Sequence, residues 1–153
     1  MTDYASRVAT AHSDGTPTFC SDLDKYNESD VKHILEKKWG CTLHDVGLMH
    51  PIDWYAVRDG RVVAWVELKS RSHARSKYPT VFLNFRKWWA LLCHQQTGAP
   101  GIWVVRFTDG IYFVRVDDIS PNRLRIGGTT TRVKSQTDIE PLIDVPIDVL
   151  TRV

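Results

Sequence analysis

The chain is 153 residues long, 42% hydrophobic and 25% charged, with a formal net charge of +2. That composition excludes a disordered or strongly basic chain and describes about one globular domain with enough apolar side chains for a core. No apolar run approaches the roughly 18 residues of a membrane span, and Cys20, Cys41 and Cys93, odd in number and without a CxxC, fit free thiols in a soluble cytoplasmic protein.

Residues 1–25 are rich in Ser, Thr, Asp and Ala without periodicity and read as an extension that is partly loop. A helix is predicted from Asn27, which can cap it; Val31, Ile34, Leu35 and Trp39 follow at helical spacing, and Gly40 ends it. Three strands follow at about 41–47, 52–58 and 61–69, the last two meeting at Asp59-Gly60, a strong hairpin signal. Thr80 reads as the cap of a second helix with Val81, Phe85, Trp88 and Leu92 on one stripe, stopped by Gly98 and Pro100. "GIWVVRF" and "IYFVRV" form two more strands, again joined through an Asp-Gly. The predicted order α-β-β-β-α-β-β is an α/β fold, a mixed β-sheet flanked by helices. Beyond Asp117 the Gly-Gly, the prolines and the alternating Ile, Leu and Val supply a small hairpin and a terminal strand. We therefore expect a single domain over 1–153: an N-terminal extension (1–25), a core (27–116) and a peripheral C-terminal segment (117–153).

The third strand carries the first chemical signal. Val62, Ala64, Val66 and Leu68 lie on one face and Val63, Trp65, Glu67 and Lys69 on the other, so the second face starts apolar and turns charged only at its end. A strand buried on both sides leaves Glu67 and Lys69 at the sheet rim, where a carboxylate must be hydrated, paired or bound to a metal. Whether Asp53 joins them depends on the hairpin. With Asp59-Gly60 as a two-residue loop, Arg58 pairs with Arg61, Asp53 falls opposite Val66, and Asp53 and Glu67 point to opposite faces. With Arg58, Asp59 and Gly60 as a three-residue loop and Gly60 in the left-handed bulge position, Asp53 falls opposite Trp65. Asp53, Glu67 and Lys69 then share a face. A regular two-residue hairpin with no other bulge would rule the shared site out.

Two carboxylates on one face can hold one hard cation, Mg2+ or Mn2+, and that suits phosphodiester hydrolysis: the cation polarises a phosphoryl oxygen and lowers the pKa of a bound water. Lys69 would orient or deprotonate that water, or stabilise the charge developing on phosphate; the sequence leaves these roles open. From Glu67 to Lys87, six basic residues (Lys69, Arg71, Arg75, Lys77, Arg86 and Lys87) and His73 stand against one acidic residue, a patch that suits phosphates as well as a solvated loop.

Asp53, then 13 residues, then Glu67-Leu68-Lys69, on a β-hairpin preceded by one helix and followed by another, resembles the PD-(D/E)xK nuclease superfamily of restriction endonucleases, Holliday junction resolvases and phage recombination exonucleases. The resemblance covers about residues 27–116, with Ile52 rather than proline before Asp53 and Pro51 one position earlier. It implies a restriction-endonuclease-like core and a Mg2+- or Mn2+-dependent nuclease acting on DNA, with junction or branched DNA as a candidate substrate and a phage as a candidate source. Asp53, Glu67 and the backbone carbonyl of Leu68 would be metal ligands, and Lys69 the catalytic lysine. It also implies a glutamate near the start of the preceding helix. Glu28 is the match, three before Val31 and seven before Leu35 on the inward stripe, and Glu36 is the rival at the margin of that stripe. The second helix would line the cleft, which makes Lys87 a candidate phosphate contact together with Arg71, Arg75, Lys77 and Arg86.

A chain this short carries one site, and paired cuts need two, so a homodimer is a candidate assembly. The alternative from another class is a nucleic-acid-binding module with the same fold and no chemistry; plain phosphate binding, however, gains nothing from two carboxylates. The six histidines show no zinc-finger or HExxH spacing, and neither a P-loop nor a GxSxG elbow occurs. His50, three before Asp53, and His73, after the lysine, lie near enough to touch substrate. Trp88 and Trp89 face different directions, one toward the core, the other toward its edge or a dimer contact.

Overall fold

The computed structural model describes residues 8–11, 17–20, 22–128 and 139–153, with side chains from residue 28 onward. In chain order the elements are β1 (Val8–Ala11), β2 (Pro17–Cys20), α1 (Asp22–Trp39), β3 (Thr42–Asp45), β4 (Trp54–Arg58), β5 (Arg61–Ser70), β6 (Thr80–Asn84), α2 (Phe85–Gln95), β7 (Gly101–Phe107), β8 (Gly110–Arg115), β9 (Leu124–Gly128), β10 (Ile139–Pro146) and β11 (Thr151–Arg152). A six-stranded sheet runs in the order β11-β8-β7-β5-β4-β3, and a second, three-stranded sheet in the order β6-β10-β9. The large sheet is mixed because β5 and β7 pair in parallel while their other neighbours are antiparallel.

Both faces of β5 and β7 are covered, as the run of apolar residues along each requires. On one face Val31 and Leu35 of α1 meet Trp54, Val66 and Val104. On the other, Ala90 and Leu91 of α2 meet Trp103, Val105 and Phe107, with Leu83 and Ile143 of the smaller sheet closing the layer. Trp103, Val104 and Val105 are all 0% exposed although they alternate in direction. Each such side chain contributes about 1.5–3 kcal/mol of burial, which makes the centre of the sheet a stiff platform for what lies at its end.

Three boundaries differ from the sequence expectation. Helix α1 begins at Asp22, five residues before Asn27, since no Gly or Pro in 22–26 stops it. The second helix begins at Phe85 rather than Thr80: residues 80–84 alternate, with Val81 and Leu83 buried, and pair with β10 from Thr80↔Pro146 to Asn84↔Leu142. That partner strand, far along the chain, overrides the local helical spacing. Strand β10 in turn buries Leu142, Ile143 and Val145, so the C-terminal segment is part of the core instead of peripheral to it.

The hairpin resolves the register question. Asp59 (φ 51) and Gly60 (φ 71) form a two-residue turn between Arg58 and Arg61, and the three-residue alternative is not adopted. The bulge lies further along: Val57 pairs with Val62 but Ala56 with Ala64, so Val63 is the extra residue on β5. From there Trp54 pairs with Val66, and one more step places Asp53 opposite Glu67, on its face, rather than opposite Trp65. Arg58, leaving the same turn, donates to the carbonyls of Trp39 and Gly40 and satisfies the open C-terminus of α1.

Candidate active site

Asp53, the C-terminal half of β5 and the first turns of α2 converge at one end of the sheet. Asp53 just precedes β4; its backbone carbonyl accepts from Val46 N–H at 3.1 Å, and its Oδ2 accepts from the backbone N–H of Leu68 at 2.8 Å. That second bond ties the carboxylate across the end of the hairpin beside Glu67. Glu67 is the single buried charged residue among the described residues, 6% exposed, and its neighbour on β7 is the fully buried Trp103. Lys87 reaches down from α2 and places Nζ 2.9 Å from Glu67 Oε1. Among the described residues Glu67 Oε2 is buried without a hydrogen-bond partner. Lys69, on the same face of β5, shares a small pocket with Glu67, Lys87, Asn84 and Phe82.

Burial governs the electrostatics here. Removal from water disfavours the charged form of Glu67, the Asp53 carboxylate adds to that, and Lys87 opposes both; the pKa is raised from 4.5 to about 8. Lys69 is pushed the other way, first by burial, then by the Arg71 guanidinium, with Glu67 and Glu140 opposing. The site therefore holds a carboxylate that demands a positive partner beside an amine disposed to release its proton.

These donors fit a hard divalent cation. Among the described residues no cluster of three or more His, Cys, Asp and Glu side chains stands ready to hold a metal. Mg2+, however, retains several waters and commonly takes only one or two carboxylates. Asp53 and Glu67 supply two on one face, the Leu68 carbonyl lies on the strand between Glu67 and Lys69, and the unpartnered Glu67 Oε2 is the kind of buried acceptor that such an ion satisfies.

The other predicted residues are distributed unevenly. Glu28 lies in the second turn of α1, half-buried and engaged by other groups, and α1 covers the Val66 face of the sheet, opposite α2. Its rival Glu36 accepts from Leu43 N–H at 2.8 Å and pins α1 to β3. Arg71 donates to the Phe82 carbonyl at 2.9 Å and lies over that ring, while Arg75 donates to the Ile147 carbonyl at 2.9 Å; both guanidiniums serve the fold. Lys77 and Arg86 are exposed. His50 accepts from Ile52 N–H through Nδ1 and packs on His94, and His73 packs between Tyr78 and Phe107. Trp88 packs against the core, and Trp89 is 56% exposed.

Sequence reasoning missed Asn84 and Glu140. Asn84, read as mid-helix, stands at the junction of β6 and α2, lines the pocket and donates through Nδ2 to Glu140 Oε1. Glu140 reaches the lysine only because β10 returns beside β6, and nothing in its local sequence signals that.

The sequence model of the family described as "Phage putative PDDEXK endonuclease" matches residues 15–153. Among solved structures the chain is similar to Hjc, a Holliday junction resolvase of Archaeoglobus fulgidus, with a TM-score of 0.53 and 19% identity over 82% of this chain and 84% of that one. At that identity the likeness carries the fold alone, a restriction-endonuclease-like mixed sheet flanked by helices. No curated protein matches the chain.

Proposed function

Because the chain belongs to the phage PDDEXK endonuclease family, we propose that it is a divalent-metal-dependent nuclease that hydrolyses DNA phosphodiester bonds with Asp53, Glu67 and Lys69. The observation that carries this reading is the buried Glu67 carboxylate, 6% exposed, beside Asp53 and Lys69 with one oxygen unpartnered among the described residues. Such a group costs the fold stability, a cost that a bound cation offsets.

In this account Asp53, Glu67 and the Leu68 carbonyl hold Mg2+ or Mn2+. The cation, when bound, polarises the phosphoryl oxygen and acidifies the attacking water. Asp53 is kept in orientation by its bond from Leu68 N–H, which is fixed in the β5 ladder. Lys69, pushed toward its neutral form by burial, takes the proton of the attacking water at Nζ; the hydroxide adds to phosphorus as the P–O bond to the leaving strand breaks, and the departing oxygen takes its proton from solvent water. Exposed Lys77 and Arg86 hold the flanking phosphates, while Arg71, Arg75 and Lys87 add positive charge to the same side from positions already tied to the fold and to Glu67. Glu28 is an accessory carboxylate at the α1 side of the same end.

The substrate we propose is branched DNA, in keeping with what the archaeal neighbour's name says of that protein, and the working assembly is a homodimer that makes paired cuts. The test is incubation of the purified protein with plasmid, single-stranded and four-way-junction DNA in Mg2+, Mn2+ or chelator. Metal-dependent cleavage that is lost in Asp53→Asn supports the reading. Binding that ignores chelator, with none of these substrates cut, assigns the chain to a non-catalytic binding module.

A further inference from the structure

We propose that Lys87 is the resident partner of the Glu67 carboxyl and that a divalent cation must displace it to enter the site. This inference rests on the metal-dependent reading above and concerns what occupies the carboxylate before metal arrives. Glu67 Oε1 is already committed to Lys87 Nζ at 2.9 Å, and Oε2 is buried and unpartnered among the described residues. The two partners differ in freedom to move. The Glu67 side chain is 7% exposed on a central strand, whereas Lys87 is 33% exposed on a flexible four-carbon stem. If the pair opens, the lysine moves.

The surrounding charges make opening obligatory. Lys87 meets Glu67 as its attractive group and Lys69 and His50 as repulsive ones, with Asp53 beside Glu67 and Glu140 near Lys69. A divalent ion adds positive charge beside Lys87 whether it meets a bare carboxylate or replaces a proton on it, so at any pH Lys87 and the metal compete for Glu67. Two unit charges about 4 Å apart at a protein surface interact strongly enough to decide an equilibrium. The released ammonium then stays at the same pocket, next to Asn84, where it can meet an anionic group of the substrate. A purely structural ion pair makes the opposite forecast: without Lys87 to align it, Glu67 binds metal less well.

Mn2+ affinity, measured by electron paramagnetic resonance on wild type, Lys87→Met, Lys87→Arg and Asp53→Asn, separates the two. We expect Lys87→Met to bind Mn2+ about tenfold more tightly than wild type, and Lys87→Arg, which keeps the charge, to stay within about threefold of it. Unchanged or weaker binding by a folded Lys87→Met overturns the proposal. A second measurement needs no variant: the 15N resonance of Lys87 Nζ in wild type should move to the position of a solvated lysine when Mg2+ is added. Mg2+ that binds without moving it also overturns the proposal. If wild type binds no Mn2+ that Asp53→Asn removes, the metal reading itself fails and the displacement fails with it.

Discussion

Replacing Glu67 with Gln should make the protein more stable while removing its activity. In the folded chain the carboxyl titrates at about 8 against an ordinary 4.5, because burial and Asp53 outweigh Lys87. Below pH 4.5 the folded and unfolded states both hold the proton, and the wild type carries no penalty. As the pH rises toward about 8 the unfolded chain releases the proton first, so the folded state loses ground steadily, and above that the gap is constant. At about 1.4 kcal/mol for each pH unit, the span amounts to an upper bound of about 5 kcal/mol, which relaxation and water entry reduce to about 2–3 kcal/mol. A Gln here keeps an acceptor for Lys87 Nζ and turns an N–H toward Asp53, so little is lost in exchange. Urea denaturation of both proteins in chelator, from about pH 5 to about pH 8, reads the difference directly. We expect near-equal stability at the acid end and a growing advantage for Glu67→Gln toward the alkaline end. A gap that does not change with pH, or a Gln variant less stable at about pH 8, would refute the reasoning.

Metal should reverse this ordering, since an ion bound only by the folded state adds about 2.7 kcal/mol at a hundredfold excess over its Kd. Thermal melts in Mg2+ should therefore stabilise wild type and leave Glu67→Gln unmoved. Because the ligand must be deprotonated, the Mg2+ affinity of wild type should climb with pH until about 8 and then level off, as isothermal titration would show. Lys69→Ala should lower the single-turnover cleavage rate by about 10²–10⁴-fold with little change in DNA affinity, the profile of a group that acts on the proton rather than on binding. Arg58→Ala, far from the chemistry, should cost about 1 kcal/mol by freeing the carbonyls of Trp39 and Gly40, with the cleavage rate of the folded protein unchanged.

The parts of the fold legible in the sequence are those set by local rules. The apolar runs of β5 and β7, the stripe of α1 with Gly40 (φ 60) after it, and the Asp59-Gly60 turn were all available from periodicity and turn chemistry. What escaped depends on distant partners. Residues 80–84 look like a helix start until β10 pairs with them, and Glu140 comes near Lys69 through the same pairing. The hairpin lies between these cases. The parity that puts Asp53 with Glu67 requires a bulge, and the pattern of charges implies one, but no residue type marks its place at Val63 rather than Gly60. The basic segment after Lys69 shows a further limit: composition counts Arg71 and Arg75 as charges for phosphate, while the structure also spends them on the carbonyls of Phe82 and Ile147.

The most direct test is the single-turnover rate of cutting a labelled four-way junction as Mg2+ is titrated, for wild type and Glu67→Gln side by side. The account predicts a saturable rise from zero in wild type and no cutting at any Mg2+ concentration in the variant, although the variant is the more stable protein. Cutting by wild type that persists in chelator, or that survives in Glu67→Gln, would contradict it.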